Sequence, residues 1–204
     1  MATVVLVRHG ETAWNREGRI QGWAPTGLTD RGREQARRVG AHVTERYDPD
    51  RVVASDLRRA RETVAEMRES GALPDPQFSP AWRERNFGVM QGLTGEELFG
   101  QHPEHARDGN LLGMTTAPEA GESYVDVYER VAGAWDGLLA RADADDTAVV
   151  VTHGGPLSVL WSYLQDRDIV EGVVGTSFDN ASVTEVDVDG GDARIVRRNE
   201  PVQN

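Results

Sequence analysis

The 204-residue sequence contains no cysteine, no lysine and no apolar run long enough to cross a bilayer. The lack of cysteine excludes disulfides and thiolate chemistry, so any metal site would have to use histidines and carboxylates. The chain also enters its first predicted strand without a signal-peptide pattern. We therefore expect a protein of the cytoplasm that has no membrane partner.

The charge is strongly acidic. Acidic residues outnumber basic ones by 34 to 22, which gives a net charge of −12, and every basic residue is an arginine. Nucleic acid is excluded as a partner because binding to its phosphates needs a cationic face. A lysine-free surface of hydrated carboxylates suits a cytoplasm rich in salt, so we interpret the chain as halophilic. GC-rich codon usage, which also replaces lysine by arginine, is the alternative interpretation.

Apolar patterns along the chain predict strands that alternate with helices. Strands are expected at 3–7, 51–54 and 148–151, followed by a hairpin on either side of the DGGD turn at 189–192. Helices are expected to begin near Asp30, Leu57 and Tyr124, and a fourth is expected with Pro156 at its first position.

Periodicity fails between residues 73 and 122, where proline and glycine are frequent, and we expect a small irregular cap there. The remaining pattern predicts the α/β class. The expectation is one domain spanning residues 1–204, built as a three-layer α/β/α sandwich with a mainly parallel sheet.

Three predicted strands end in residues that can bind an anion. The first leads into Arg8-His9-Gly10, the second into Arg58 and Arg59, and the third into His153 and Gly154. Ligands of such sheets bind beyond the carboxyl ends of the strands. A cationic spot in an acidic protein indicates an anionic substrate, and glycine lets backbone N–H groups approach it.

These residues lie in longer motifs: LVRHGETAWN at 6–15, QG at 21–22, SDLRRARET at 55–63, WRERNFG at 82–88, GES at 121–123 and VVVTHGGPL at 149–157. In this order they resemble the histidine phosphatase superfamily, with its phosphoglycerate-mutase-like fold, over essentially the whole chain. The resemblance implies transfer of a phosphoryl group through a phosphohistidine.

The resemblance also implies roles for individual residues. His9 matches the nucleophile, and the carbonyl of Gly10 matches the group that fixes its tautomer. Arg59, rather than Arg58, matches the arginine at the phosphoryl group because it directly precedes the alanine of the motif. The other residues implied in phosphate binding or catalysis are Arg8, Asn15, Gln21, Gly22, His153 and Gly154.

Glu84 matches the family's general acid. It would protonate the leaving oxygen and then, as a carboxylate, activate the water that attacks the phosphohistidine. Without the resemblance, a solvated glutamate between Arg83 and Arg85 is the simpler interpretation.

Three activities remain open at this point. The first is hydrolysis of a small-molecule phosphate ester, which we favour because residues 86–122 contain one arginine, Arg107, against several carboxylates. The second is a cofactor-dependent phosphoglycerate mutase, and the third is a non-catalytic binder of phosphorylated ligands. We expect no cofactor and no metal, since His102 and His105 flank Pro103 without an evident third ligand. A homodimer is left open.

Overall fold

A six-stranded sheet organises the chain in the computed structural model, which describes residues 1–105 and 114–202. The strands are β1 (Ala2–Arg8), β2 (Arg51–Ser55), β3 (Pro76–Ser79), β4 (Thr147–Thr152), β5 (Ser182–Asp189) and β6 (Asp192–Pro201). Their order is β3-β2-β4-β1-β5-β6. The pairs among β1 to β4 are parallel, whereas β5 and β6 add two antiparallel pairs at one edge. The sheet is therefore mainly parallel, as expected.

Helices cover both faces of this sheet. They are α1 (Ala13–Arg16), α2 (Asp30–Arg46), α3 (Arg58–Ser70), α4 (Gly95–Gln101), α5 (Tyr124–Leu139), α6 (Gly154–Leu164) and α7 (Ile169–Gly175). Short 3-10 turns occupy Pro80–Trp82, Gly88–Met90 and Pro103–His105. None of the helices in the described ranges is both long and apolar enough to cross a membrane.

The alternation of β1 shows why two apolar layers form. Val5 and Val7 face a core that includes the buried sides of α2 and α3. Val4 and Leu6 face a second core that includes residues of α5, α6 and α7. Because successive side chains of a strand point to opposite faces, the continuous apolar run Val4–Val7 of β1 has to be covered on both sides. The two layers of helices that cover β1 give the predicted three-layer sandwich.

Several details differ from expectation, since the short helices α1 and α4 were not predicted either. The region predicted as an irregular cap, 73–122, begins with the edge strand β3, so its irregular part starts after residue 79. Pro76 is tolerated as the first residue of an edge strand because no ladder hydrogen bond needs its missing N–H. Pro156 occupies the third rather than the first position of α6, which begins at Gly154 after the N-cap His153. The seven-residue α7 was not expected, since it is too short to show helical periodicity.

Gly40 tests the packing of α2 on α3. A Cβ at Gly40 would lie 2.2 Å from the Met67 carbonyl oxygen and 2.7 Å from Ser70 Oγ, whereas a Cβ at Gly133 of α5 would meet nothing within 4 Å. Gly40→Ala should lower the free energy of unfolding by about 1–3 kcal/mol because the helices must separate. Gly133→Ala should raise it by about 0.5–1 kcal/mol through helix propensity.

Urea unfolding of both variants measures these changes. Equal stabilisation by the two substitutions would contradict the close approach of α2 and α3.

Candidate active site

The carboxyl ends of β1, β2 and β4 bring together side chains that are far apart in sequence. His9 follows β1 and His153 follows β4, and their ring centroids lie 5.1 Å apart. Ser55, the last residue of β2, contacts the second ring through Oγ, 2.7 Å from Nε2 of His153. All three residues are buried. The expected convergence of the strand ends is therefore confirmed.

Two neighbours fix the tautomer of His9. Its Nδ1 lies 2.8 Å from the carbonyl oxygen of Gly10, which can only accept a hydrogen bond, so Nδ1 carries the proton. Its Nε2 lies 3.2 Å from Nε of Arg59, which can only donate, so Nε2 carries the lone pair. The nitrogen with the lone pair is the one beside Arg59.

Gly10 has a steric reason to be glycine. A Cβ there would lie 2.3 Å from the carbonyl oxygen of Gly32 in the first turn of α2. Its N–H donates to Thr63 Oγ1 at 3.1 Å. The structure thus ties Gly10 to backbone packing and to the His9 tautomer, and its role in phosphate binding stays a prediction.

Of the two adjacent arginines, Arg59 points into the site and Arg58 does not. Arg59 is 1% exposed and donates through Nη2 to the carbonyl oxygen of Gly22 at 2.8 Å. Arg58 forms an ion pair with Glu62 at 2.6 Å, and its guanidinium group lies against Gly27. Burial, aided by nearby Arg8, lowers the pKa of Arg59 to about 10, so it stays charged at neutral pH.

The amides of Asn15 and Gln21 are oriented by neighbouring donors. Oδ1 of Asn15 accepts from Thr12 N and from Nδ2 of Asn180, both at 3.2 Å. Oε1 of Gln21 accepts from the hydroxyls of Thr12 and Thr26 at 2.9 and 2.6 Å. These contacts orient both amides, and both residues line the pocket described below; their role as neutral donors to a phosphoryl group stays a prediction.

Glu84 lies at the amino end of α6. One carboxylate oxygen accepts from the backbone N–H of Gly155 at 3.1 Å, and the other accepts from the N–H of Arg85 at 2.8 Å. A Cβ at Gly155 would lie 2.0 Å from Oε1 of Glu84, so glycine leaves the space that the carboxylate occupies.

These side chains surround a pocket of about 170 Å³. Its lining residues are Arg8, His9, Asn15, Arg19, Ile20, Gln21, Gly22, Arg59, Glu84 and Phe87. The other predicted site residues adjoin this lining: His153 lies against His9, and a Cβ on Gly154 would lie 3.6 Å from Nε of Arg8. The pocket has the size and the donors for a phosphoryl group, with a carboxylate beside it.

Several neighbours of the site were missed in the sequence. Ser55 could have been found, because it directly follows a predicted strand, in a position comparable to that of His9. Arg19 and Phe87 lie in irregular segments without periodicity, and Asn180 lies in the loop before β5. Asn180 donates to the carbonyl oxygen of His9 at 3.1 Å, and no local sequence pattern predicts this contact.

The structure gives no support for a metal site at His102 and His105. His102 contacts Glu104 at 3.6 Å, and the side chain of His105 lies outside what the structure describes. Within the described ranges, no group of three or more histidine, aspartate or glutamate side chains is arranged to hold a metal ion.

Burial lowers the pKa of His9 well below 6.5, with the charges of Arg59 and Arg8 acting in the same direction and the Gly10 carbonyl opposing them. Burial likewise lowers the pKa of His153, with Arg59, His9, Arg8 and, least, Arg130 adding to the effect. Both rings are therefore neutral near pH 7, and Nε2 of His9 keeps its lone pair beside the Arg59 guanidinium.

Comparison with known proteins agrees with this geometry. A sequence model described as the histidine phosphatase superfamily, branch 1, matches residues 4–201. The chain belongs to this superfamily. The resemblance seen in the motifs is thereby confirmed, and so is the phosphoglycerate-mutase-like fold class.

Similar proteins include both hydrolases and mutases. Metal-independent phosphoserine phosphatase of Arabidopsis thaliana is 33% identical over 159 residues, which cover 78% of this chain and 66%, just under two thirds, of the plant enzyme. A 2,3-bisphosphoglycerate-dependent phosphoglycerate mutase of Thermobifida fusca is 31% identical over 197 residues, covering 82% of this chain and 80% of the mutase. The solved structure of Bacillus stearothermophilus YhfR has a TM-score of 0.88 and 29% identity, with 100% of both chains covered.

The two buried histidines predict how stability depends on pH. Well above pH 6.5 they are neutral in both the folded and the unfolded state and contribute no pH dependence. Below pH 6.5 the two histidines bind protons in the unfolded chain but stay neutral in the folded chain. The free energy of unfolding therefore falls as the pH falls. The loss approaches about 1.4 kcal/mol per pH unit for each histidine.

Urea titrations at several pH values between about 5 and 7.5 measure how steeply the free energy of unfolding depends on pH. His9→Gln should reduce this slope by about the contribution of one histidine. An unchanged slope in that variant would contradict a neutral, buried His9.

Proposed function

We propose that the chain is a metal-independent phosphomonoester hydrolase that acts on a small phosphorylated metabolite through a phosphohistidine at His9. The observation that carries the proposal is the fixed tautomer of His9. Its lone pair on Nε2 lies beside Arg59, in a pocket that Arg8 also lines. The membership of the superfamily and the similarity to a phosphatase support it further.

In the first step, Nε2 of His9 attacks phosphorus, an N–P bond forms and the ester P–O bond breaks. The proton on Nδ1 stays in its hydrogen bond to Gly10, which stabilises the imidazolium that results. Arg8 and Arg59 meet the negative charge on the phosphoryl oxygens. The amide donors of Asn15 and Gln21 add neutral contacts without requiring further charge.

Glu84 supplies the proton that the leaving oxygen needs. In its protonated form it donates to the alkoxide as the ester bond breaks. The resulting carboxylate then takes a proton from the water that attacks phosphorus, and inorganic phosphate leaves with the lone pair of His9 restored. Each atom and proton is thus supplied by the chain, the substrate or water.

Hydrolysis fits the site better than a mutase reaction. A mutase has to retain a doubly phosphorylated intermediate, which needs cationic contacts for a second phosphate. The pocket of about 170 Å³ is small, and the 86–122 segment contributes a single arginine, Arg107, against several carboxylates. A binding protein without activity is disfavoured because both His9 and Glu84 are present.

No step of this mechanism uses a metal ion, and we propose that the enzyme works without one. The substrate is a small-molecule phosphate ester. A cytoplasmic location, a halophilic source and the single domain with a cap stay predictions, and the homodimer is left open.

The acid role of Glu84 predicts a dependence on the leaving group. Glu84→Gln keeps the shape and removes the proton, so phosphoenzyme formation from glycerol phosphate should slow on the order of 100-fold or more. The same step with nitrophenyl phosphate should slow only a few-fold, because nitrophenolate leaves without a proton. Rapid-quench measurement of phosphoenzyme in EDTA checks both the acid and the independence from metal.

Glu66→Gln is the control, since Glu66 is a partly buried carboxylate that pairs with Arg33 and Arg37 away from the pocket. Equal slowing of both substrates by Glu84→Gln would remove Glu84 from the acid role. Loss of all wild-type activity in EDTA, with recovery on adding a divalent ion, would overturn the mechanism. His9→Ala with undiminished hydrolysis would do the same.

A further inference from the structure

The segment that carries Glu84 is irregular, yet a side chain from α5 binds its backbone repeatedly. Nη1 of Arg130 donates to the carbonyl oxygens of Ala81 and Arg83 at 2.9 and 3.0 Å. Nη2 reaches the carbonyl oxygen of Glu84 itself at 3.4 Å. One guanidinium group thus binds three carbonyls in four consecutive residues that end at Glu84.

Glu122 completes the arrangement from the other side. Its carboxylate pairs with Arg130 at 3.0 Å and accepts from the backbone N–H of Asn86 at 2.8 Å. Its own N–H donates to the carbonyl oxygen of Asn86 at 2.8 Å. The Arg130–Glu122 pair therefore binds the backbone at and before Glu84 and again two residues after it.

The carboxylate of Glu84 has little freedom to tolerate a shift of this backbone. It sits against the first turn of α6, where the N–H of Gly155 is 3.1 Å away. The helix is fixed by its burial in the core, so a displaced loop would move Glu84 relative to the pocket. Misplacement of a catalytic group by about 1 Å can cost on the order of 100-fold in rate.

We propose that Arg130 and Glu122 are positioning residues that hold Glu84 at the distance from which it protonates the leaving group. The inference rests on the proposed acid role of Glu84. Neither residue lines the pocket, so they act through the backbone that carries Glu84 and not by contact with substrate. A purely structural ion pair, by contrast, would affect the reactions of all substrates alike.

Arg130→Met tests this, because it keeps most of the side chain's bulk and removes every donor. We expect kcat/KM for glycerol phosphate to fall about 10- to 100-fold, and that for nitrophenyl phosphate to fall roughly threefold or less. In an enzyme that already carries Glu84→Gln, Arg130→Met should cause no further loss with glycerol phosphate, since the group it positions no longer donates a proton. Glu122→Gln should show the same selectivity with a smaller effect.

Arg51→Met is the matched control. Arg51 pairs with Asp146 at the opposite end of the sheet, and these side chains are 25% and 18% exposed, against 20% for both Arg130 and Glu122. Arg51→Met should leave the ratio of the two substrates' kcat/KM values unchanged. Thermal melts of all variants show which remain folded, and if Arg130→Met does not fold, Glu122→Gln carries the test.

Equal losses with both substrates, or full additivity with Glu84→Gln, would overturn the positioning role. These results are distinct from failure of the proposed function. If the proposed function were wrong, the wild-type enzyme would hydrolyse neither ester, or Glu84→Gln alone would slow the reactions of both esters equally.

Discussion

The hydrogen bond from Nδ1 of His9 to the carbonyl oxygen of Gly10 is the contact on which the site depends. It holds the ring proton on the side away from the arginines and leaves Nε2 with a lone pair. Burial and the two arginines keep the ring neutral, although a neutral ring would otherwise be free to exchange tautomers. The carbonyl can take this position because Gly10 and Gly32 let the loop approach α2 closely.

The pocket differs in charge from the molecule around it. The chain has a net charge of −12, yet three arginines line the pocket against one carboxylate. The arginines are held by the protein before any substrate arrives: Arg59 by the Gly22 carbonyl, and Arg19 by the Gly92 carbonyl at 2.8 Å. Preorganised cations of this kind do not have to rearrange as charge develops on a transferring phosphoryl group.

How much the sequence predicts depends on whether the signal is local. The apolar run of β1 predicts a strand covered on both faces, and His9 at its end predicts a site there, because both depend on consecutive residues. β3 could not be predicted, because it begins with Pro76 and proline argues against a strand unless the strand lies at the edge of a sheet. Which strand lies at the edge depends on the whole sheet. The separation of Arg58 from Arg59 required the family motif, and the structure supplies its physical basis in the contact of Arg58 with Glu62.

Contacts between distant segments could not be predicted from the residues alone. Asn180 orients Asn15 from 165 positions away, and Arg130 reaches the backbone of Glu84 from another helix. Gly155 shows the same limit: no local pattern indicates that the carboxylate of Glu84 occupies the space where a side chain at this position would lie. Such roles belong to the packing of elements, and only the assembled fold reveals them.

In the proposed mechanism, Nε2 of His9 carries the phosphoryl group between the two steps. Rapid quenching into alkali during turnover of nitrophenyl phosphate, followed by mass spectrometry of the peptides and ³¹P NMR of the denatured protein, locates the group directly. We expect an acid-labile phosphoryl group on His9, attached at Nε2, and none in His9→Ala. A phosphoryl group on His153, attachment at Nδ1 of His9, or rapid hydrolysis without any phosphoenzyme in the wild type and in Glu84→Gln would contradict it.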